Sequence, residues 1–403
     1  SRGRHPPAML RRFAVIYFSI ILAFGVLAGL GLGVLSILFL WRAGEFASVA
    51  DVVTHQLGNA ATYGSAIHED GFAYKLELVS REKPAIIALG SSRVLQFRQP
   101  LFSTKFINAG RGMITPEEGL TFMRALLARH KPKVVIVGLD FWWFNPNWSY
   151  PNRRSRDTSL DLEKLGVVQD WLWKSKISVA DIWRVAILSD TKNQLTQHAN
   201  IGVAAIMRGV GYRPDGSRDY GLRYSGNDPT FDDQGFANTL RRIERGVVQF
   251  KHAQQAASAR YRLIDQMLHY LHSEGVTPVV VMPPLAGPVL ELMMARSADF
   301  SYLTAIREYL AALKFETYDF TEPGYLGADD CEFVDGFHGG EVVYQRIIAN
   351  IIVQNPNSAL APHVNIDTLL SSIRKSSGRV LTAMSATEYN LAETDFLQIG
   401  CQK

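Results

Sequence analysis

The chain has 403 residues, of which 47% are hydrophobic and 20% are charged, a composition that excludes a disordered protein. Two cysteines exclude a disulfide-framework protein and a zinc site with four cysteine ligands. The formal net charge is +4, and five basic residues lie before residue 43, where there is no acid: Arg2, Arg4, Arg11, Arg12 and Arg42. The other 37 basic residues face 38 acidic ones, which argues against a nucleic-acid binder that neutralises phosphates.

An uncharged segment covers residues 13–41, a run of 29 residues. A bilayer core needs about 20 helical residues, so the sequence predicts a transmembrane anchor that follows a cytoplasmic tail at residues 1–12. Four arginines precede the segment and one follows closely, so the positive-inside rule predicts a single-pass inner-membrane protein with its N-terminus inside and residues 43–403 in the periplasm or outside. A cleaved signal peptide is the alternative, because Ser48-Val49-Ala50 fits a cleavage pattern, but the apolar run is about twice the usual length.

Gly25, Gly29 and Gly33 recur every four residues inside this segment, so they lie close to one face of a helix. Such a face lets a second helix approach closely, which predicts a partner in the membrane. Glycine is also frequent in membrane helices that have no such partner, and the sequence leaves both interpretations open.

Short β-type runs alternate with helical stretches after a predicted helical linker at residues 42–83. Thr115-Pro116-Glu117-Glu118 is a helix start, with Thr115 as the N-cap and Pro116 at the first helical position. Strands that alternate with helices predict an α/β fold whose central parallel sheet is covered on both faces. The predicted strands are residues 85–89, 106–108, 134–137, 279–282 and 315–320.

About 140 residues separate the third predicted strand from the fourth, far more than one crossover connection needs. Many Gly, Pro, Asn and Asp residues, with a turn signal at 213–217, predict a large insertion at about 145–235. One long helix is predicted at 238–274, and another runs from Gly340 to about residue 353. The C-terminal extension, 355–403, carries a further predicted helix at 366–375.

Polar residues follow the ends of several predicted strands, where open parallel sheets place their sites. The first strand leads into Gly90-Ser91-Ser92, and a serine at a strand-to-helix turn suits a nucleophile. The second leads into residues 108–112, whose two glycines let backbone N–H groups approach an oxyanion. Asp335 lies three residues before His338, so it can orient an imidazole that activates the serine. Each motif alone also fits an ordinary loop, but their common position at one sheet edge indicates serine-based acyl chemistry.

These motifs resemble those of the SGNH/GDSL hydrolase superfamily over about residues 84–139 and 276–353. Gly90-Ser91-Ser92 matches the first block, with Ser91 where the name motif has Asp. The resemblance implies that residues 84–354 form a flavodoxin-like three-layer sandwich of SGNH type around a central parallel sheet, interrupted by the insertion.

The same resemblance implies roles for individual residues. Ser92 is the expected nucleophile, His338 the expected base and Asp335 the residue that orients the base. The backbone N–H groups of Ser92 and Gly112 are the expected oxyanion hole, with Gly110 as the alternative to Gly112. The resemblance therefore implies a Ser-His-Asp triad without a cofactor.

The third family block departs from the expected pattern. The family usually has Gly-x-Asn-Asp, and this chain reads Gly138-Leu139-Asp140-Phe141. The asparagine that donates to the oxyanion is absent, and an ionised Asp140 cannot donate. The predicted oxyanion hole therefore depends on backbone N–H groups, unless Asn145 or Asn147 replaces the missing donor. Loss of one such donor can cost about 10²–10³ in rate.

The overall layout is also similar to narrower families. One N-terminal membrane helix, an outward SGNH-like domain and Gly-Ser-Ser resemble the teichoic-acid D-alanylation protein D family and the membrane-anchored alginate acetylation proteins. This similarity implies an O-acyltransferase that works on a cell-envelope polysaccharide, beside a membrane-bound O-acyltransferase or synthase complex that docks on the glycine face. A polysaccharide acyl esterase and a non-catalytic scaffold of such a complex are the alternatives.

Four residues beside the motifs are candidates for substrate binding: Arg93, Asp140, Trp142 and Trp143. Arginine can hold an anionic polymer and indole faces stack on sugar rings, although the aromatic run also fits a core beneath the insertion. His269 and His272 lie three apart with no evident third ligand, so we predict no metal. Cys331 and Cys401 can pair in an oxidising compartment, a question that the sequence leaves open.

Overall fold

The computed structural model describes residues 8–68, 71–150, 162–174, 176–188, 200–388 and 392–403. The strands, in chain order, are β1 (Thr62–Tyr63), β2 (Ile86–Gly90), β3 (Phe106–Gly110), β4 (Val134–Gly138), β5 (Asn200–Ile201), β6 (Val210–Tyr212), β7 (Arg218–Tyr220), β8 (Thr277–Met282), β9 (Glu316–Asp319), β10 (Phe333–Asp335) and β11 (His338–Gly339). The α-helices, in chain order, are α1 (Ala8–Arg42), α2 (Val49–Asn59), α3 (Gly71–Glu82), α4 (Pro116–Leu127), α5 (Leu162–Trp173), α6 (Val179–Trp183), α7 (Val203–Arg208), α8 (Ala237–Arg245), α9 (Ser258–Ser273), α10 (Gly287–Ala295), α11 (Tyr302–Ala312), α12 (Glu341–Gln354), α13 (Ile366–Ser376) and α14 (Ala383–Glu388).

A five-stranded parallel sheet forms the centre of the fold, in the order β3-β2-β4-β8-β9. Each strand lies within two residues of its predicted bounds, which confirms the prediction of a mixed α/β fold with a parallel sheet. Every residue of β2, β3 and β4 is buried, because these apolar runs are covered on both faces of the sheet.

The strand order creates a crevice at one end of the sheet. The chain passes from β2 to the neighbouring β3 on one side and then returns to β4 on the other side of β2. Connections therefore leave β2 and β4 in opposite directions, and this is the place where open α/β sheets hold their sites. The ends of β2 and β3 are level, since Gly90 pairs with Gly110.

Helix α4 packs against both α3 and α9, and α3 packs against β3 and α9 against β8. Thr115 caps α4 by accepting a hydrogen bond from the N–H group of Glu118, as predicted. The single helix predicted at 238–274 is wrong. The chain forms α8 and α9 instead, because Gly246 ends α8 in the left-handed conformation (φ +62°) and an irregular stretch follows before Ser258.

The segment between β4 and β8 contains the predicted insertion, and its β6–β7 hairpin docks on the sheet edge. The predicted turn at 213–217 joins these two strands. The N–H group of Asn108, in β3, donates to the carbonyl of Asp215 (2.7 Å). Gly216 has φ +78° and lies against the backbone of Asn108, so this close approach requires glycine. Burial lowers the pKa of Lys75 well below its ordinary value, and its ammonium donates to the carbonyls of Asn108 and Gly216.

The segment predicted as a helical linker at 42–83 is more than a linker. It contains α2 and α3, but between them β1 joins a small sheet in the order β5-β1-β6-β7. The linker and the insertion therefore form one substructure, which the sequence did not predict because strands of two or three residues carry no periodic pattern.

Among the described residues, α1 is long and apolar enough to cross a bilayer. Its apolar part, Val15–Arg42, has 28 residues and reaches a mean hydropathy of 2.5. Most of this part is unburied, so it does not form the core of the folded domain. The predicted apolar anchor segment at 13–41 is therefore present as one continuous helix.

The C-terminal extension packs back on the domain. Cys331 and Cys401 form a disulfide bond, which answers the question that the sequence left open. The amino group of Lys403 pairs with Glu393 (2.6 Å) and donates to the carbonyl of Cys331 (2.8 Å). The tail is thereby held beside the segment that leads into β10.

Candidate active site

The turn after β2 presents Ser92 at the C-terminal edge of the sheet. β2 ends at Gly90, and a short 3-10 helix begins at Ser92. The side chain of Ser91 caps this helix by accepting a hydrogen bond from the N–H group of Arg93 (3.2 Å). A β-carbon at Gly90 would lie 2.8 Å from Val94 and 3.0 Å from a carbonyl of β4, so glycine is required there. Ser92 is only half-buried, which distinguishes it from both of its neighbours.

The β10–β11 hairpin holds the carboxylate and the imidazole. Oδ1 of Asp335 accepts hydrogen bonds from the N–H groups of Phe337 (3.1 Å) and His338 (3.0 Å), which closes the turn. Nδ1 of His338 lies 2.9 Å from each carboxylate oxygen of Asp335. The backbone N–H groups hold the carboxylate of Asp335 in place. The carboxylate in turn sets the orientation of the His338 ring through its contact with Nδ1.

The imidazole bridges the carboxylate and the serine. Nε2 of His338 lies 2.8 Å from Oγ of Ser92, across a separation of 246 residues in the chain. When Nδ1 donates its proton to Asp335, Nε2 is free to accept the proton of the serine hydroxyl. The structure therefore brings together the three residues that the sequence singled out, with the geometry that a general base requires.

Asp335 is held in its charged form. Burial alone would raise the pKa of its carboxyl group, but the nearby His338, the hydrogen bonds and the charge of Arg223 outweigh burial. The pKa of Asp335 therefore lies below its ordinary value. An ionised carboxylate at this position stabilises the imidazolium that forms when His338 takes a proton.

Arg93 is buried beneath the turn that carries Ser92 and connects three loops. Its Nε donates to the carbonyl of Phe337 (3.1 Å), next to His338. Its Nη2 donates to the carbonyl of Pro283 (2.5 Å) and to that of Pro284 (2.8 Å), two residues that follow β8. These bonds tie the serine turn to the histidine hairpin, because one rigid guanidinium spans both.

Asp140 follows β4 and lies 3.6 Å from the guanidinium of Arg93. Burial raises the pKa of Asp140 to about 6, and the charge of Arg93 offsets only part of that effect. Burial also lowers the pKa of Arg93. Oδ2 of Asp140 has no hydrogen-bond partner among the described residues. The pair thus lies buried beneath the site, and the cost of removing both charges from water exceeds the attraction between them.

The four candidate substrate-binding residues do not face solvent, and this prediction is corrected. Arg93, Asp140 and Trp142 are at most 3% exposed, and Trp143 is fully buried. The ring of Trp142 packs edge-on against Phe337 and lies 5.7 Å from the guanidinium of Arg93. Buried indoles cannot stack on a sugar ring, so these residues form the core beneath the site, as the alternative interpretation stated.

In the glycine turn after β3, the N–H groups of both glycines bond to residues of the same segment. The N–H of Gly112 donates to the carbonyl of Ala109 (2.9 Å), and that of Gly110 donates to Asn108 (2.7 Å). The predicted oxyanion role of Gly112 is therefore not met in this conformation. Ser92 N–H lies at the start of a helix, where N–H groups have no partner within the helix.

The two asparagines considered as replacement donors have other partners. The amide of Asn145 donates to the carbonyl of Lys251, and its oxygen accepts from the N–H group of Asn147 (2.8 Å). The amide of Asn147 donates to the carbonyl of His252 (2.8 Å). Both side chains hold the insertion against the segment before α9, so neither serves as the missing oxyanion donor in this structure.

An open cleft lies beside the carboxylate of Asp335. The insertion, α8 and the β10–β11 hairpin supply its walls, which include Arg223, Asp232, Asp233, Arg242, Asp335 and Phe337. Sequence analysis missed this cleft because its walls come from segments without a shared motif. The charged clusters at 232–233 and 241–245 are the signal that points to it.

Among the described parts of the chain, no group of three or more His, Cys, Asp or Glu residues is arranged to hold a metal ion. The chain matches no protein-family model and no curated protein. The functional interpretation therefore depends on the geometry of the residues themselves.

Proposed function

We propose that the chain is a membrane-anchored, extracytoplasmic SGNH-type serine acyltransferase that acts on a cell-envelope polysaccharide. The observation that carries this proposal is the hydrogen-bonded line from Ser92 through His338 to Asp335 at the C-terminal edge of a parallel sheet. Such a line is the minimal machinery for making and breaking an acyl ester.

The topology supports the SGNH-type part of the proposal. Counted in chain order, the five strands of the sheet lie in the order 2-1-3-4-5, which is the flavodoxin-like order. Ser92 follows the strand at the switch point, and the residues in the order Ser, Asp, His come from the first and the last parts of the domain. We therefore propose a three-layer sandwich of SGNH type with an insertion between its third and fourth strands.

The proposed reaction has two half-reactions. In the first, Nε2 of His338 takes the proton of Ser92 as Oγ attacks the acyl carbon, and the imidazolium then protonates the departing group. In the second, the hydroxyl of a sugar attacks the acyl-serine, His338 takes its proton, and Oγ of Ser92 is released and reprotonated. Transfer prevails over hydrolysis only where the acceptor excludes water from the acyl-serine.

The oxyanion of each tetrahedral intermediate needs preorganised donors. We assign the first donor to the N–H group of Ser92. Gly112 N–H becomes the second donor only when its bond to Ala109 opens, a small change of the turn after β3.

Two features support an extracytoplasmic location. α1 is apolar over the length of a bilayer, and a disulfide joins Cys331 to Cys401, which is typical of an oxidising compartment. A β-carbon added at Gly25 or Gly29 would meet nothing within 4 Å. We therefore propose an inner-membrane anchor with its N-terminus inside and its glycine face available to a membrane-bound O-acyltransferase.

The full-length protein in detergent tests the reaction. We expect the wild type to turn over a chromogenic acetyl ester and Ser92→Ala to lose this activity. When a sugar with free hydroxyl groups is added, we expect the acyl group to be transferred to the sugar instead of to water. Hydrolysis that no acceptor diverts would favour the polysaccharide esterase. Unchanged polymer acylation in cells that carry Ser92→Ala, measured by mass spectrometry of the envelope polysaccharide, would favour the non-catalytic scaffold.

A further inference from the structure

The exposed surface of α1 has the length of a bilayer core. Every side chain that the structure describes from Phe13 to Gly31 is exposed. At 1.5 Å per residue this stretch spans about 29 Å, close to the ~30 Å of a hydrocarbon core. Beyond it the helix becomes covered, and Phe39, Leu40 and Ala43 are buried. The end of the exposed stretch therefore marks the expected level of the outer membrane–water interface.

Helices of the insertion provide this cover. We call residues 166–174 and 176–187 the collar; they comprise most of α5, all of α6 and most of the π-helical turn that follows. Val168, Ile182 and Val185 of the collar form one apolar cluster with Phe39 and Leu40 of α1. This cluster is separate from the main core of the domain. The collar is thus fixed to α1 at Phe39 and Leu40, about 12 Å beyond the end of the exposed stretch at Gly31.

The collar carries large apolar side chains that the fold does not bury. Trp173 is 91% exposed, Val179 is 60% exposed and Trp183 is 51% exposed. Lys174 and Arg184 are exposed beside them, each paired with an acid of the collar itself. Exposed tryptophan together with Lys and Arg is the composition that proteins place at a membrane–water interface.

We propose that the collar lies in the headgroup layer of the membrane that α1 crosses, with Trp173 and Trp183 inserted among the lipids. This inference rests on the membrane-anchored part of the proposed function. The occupant is the lipid surface, because the collar packs on α1 at Phe39 and Leu40, close to the end of the uncharged run at Trp41. That run of 29 residues spans about 44 Å, which is comparable to the ~40–45 Å of a bilayer with its headgroup layers. The collar would fix the domain close to the membrane, whereas a single helix would leave it free to swing.

Spin labels on the full-length protein test the proposal in vesicles of phosphatidylethanolamine and phosphatidylglycerol. Cysteines introduced as Trp173→Cys and Trp183→Cys can be labelled selectively, since both native cysteines are in the disulfide. Tyr325→Cys is the matched control, because Tyr325 is 68% exposed and lies after β9, outside the collar. We expect the ratio of oxygen to nickel-chelate accessibility to be several-fold higher at residues 173 and 183 than at residue 325.

Three outcomes overturn the proposal in distinguishable ways. If the protein floats with the vesicles but labels at 173 and 183 are as accessible to the nickel chelate as the label at 325, the collar is in water and the anchor stands. If alkaline washing releases the protein from the vesicles, the anchor itself fails and the collar proposal fails with it. If the labels are shielded from both reagents only in native membranes, a protein partner covers the collar.

Discussion

Ser92 and Arg93 are neighbours in the chain, yet they belong to regions of opposite character. Ser92 is half-buried and joins the line to His338 and Asp335, which ends in a hydroxyl at the edge of the sheet. Arg93 is 2% exposed and faces Asp140 and three carbonyls beneath that line. One turn therefore supplies a reactive group on one side and a buried support on the other.

The two regions differ in the pKa of the buried carboxylate that each contains, Asp335 or Asp140. Both Asp335 and Asp140 are removed from water and lie near a cationic group. Asp335 accepts two backbone N–H bonds in addition to its contact with His338, and its pKa falls. Asp140 lies 3.6 Å from Arg93 with one oxygen unsatisfied among the described residues, and its pKa rises to about 6. The charge of His338, its hydrogen bond, the charge of Arg223 and the backbone bonds together outweigh burial at Asp335, whereas the charge of Arg93 and the hydrogen bonds of Asp140 do not outweigh burial there.

The largest expected effect is in the reactive region. Ser92→Ala removes the proposed nucleophile, so we expect turnover of a chromogenic acetyl ester to fall by a factor on the order of 10⁴–10⁶. Ser103→Ala, at an exposed serine in the loop before β3, is the matched control and should retain full turnover. Circular dichroism should be the same for both variants. Residual activity within tenfold of the wild type in Ser92→Ala would place the reaction elsewhere.

Asp335→Asn tests the orientation of the base. Asparagine can still accept the backbone bonds of the turn, but it no longer stabilises an imidazolium or selects the tautomer with its proton on Nδ1. We expect kcat to fall on the order of 10⁴-fold, while circular dichroism shows that the variant is folded. A fall of less than tenfold would mean that His338 does not act as a base paired with Asp335.

The meeting of Ser92, Asp335 and His338 was predictable from the sequence. The burial of Arg93 and Trp142 beneath them was not. Ser92, Asp335 and His338 each follow or precede a strong strand or helix signal, so topology alone brings them to one edge. Arg93 and Trp142 lie in the same motifs, but their burial depends on what the insertion and the β8 loop place above them. The broken helix at Gly246 was missed for a similar reason, because a periodic pattern does not reveal one residue in the left-handed conformation.

Arg93→Lys tests whether the support positions the reactive line. Lysine keeps the charge but cannot donate from one planar group to Phe337 and to Pro284. We expect kcat to fall about 10²-fold, while KM stays near the wild-type value because Arg93 has no surface for substrate. Arg260→Lys, at a surface ion pair with Glu117, is the control and should change neither constant. A changed KM with an unchanged kcat would return Arg93 to the substrate-binding role.

Asp140→Asn gives the smallest effect. The sign of its effect on the pH dependence of stability distinguishes Asp140, whose pKa is raised, from Asp335, whose pKa is lowered. With the carboxyl pKa of Asp140 raised from 3.8 to about 6, the folded protein binds more protons than the unfolded chain between these values. The wild type therefore loses stability as pH rises through that window, by at most about 1.4 kcal/mol per pH unit. The asparagine variant has no such loss, so its unfolding free energy should improve relative to the wild type as pH rises from 4 to 7.

Urea unfolding in detergent at a series of pH values measures this difference, and titrations common to both proteins cancel from it. Glu341→Gln is the matched comparison, because the pKa of Glu341 lies below its ordinary value of 4.5. Burial opposes that shift, but the nearby Arg98 and Arg213 and the hydrogen bonds of Glu341 outweigh it. The stability that Glu341 provides is present above pH 4.5 and lost below it, so its variant should differ from the wild type by a constant amount between pH 5 and 7. If the difference in unfolding free energy from the wild type shows the same pH profile for Asp140→Asn and Glu341→Gln in that range, Asp140 is ionised and its hydrogen bonds are satisfied. The pair of Arg93 and Asp140 would then be as well paired as Asp335 and His338.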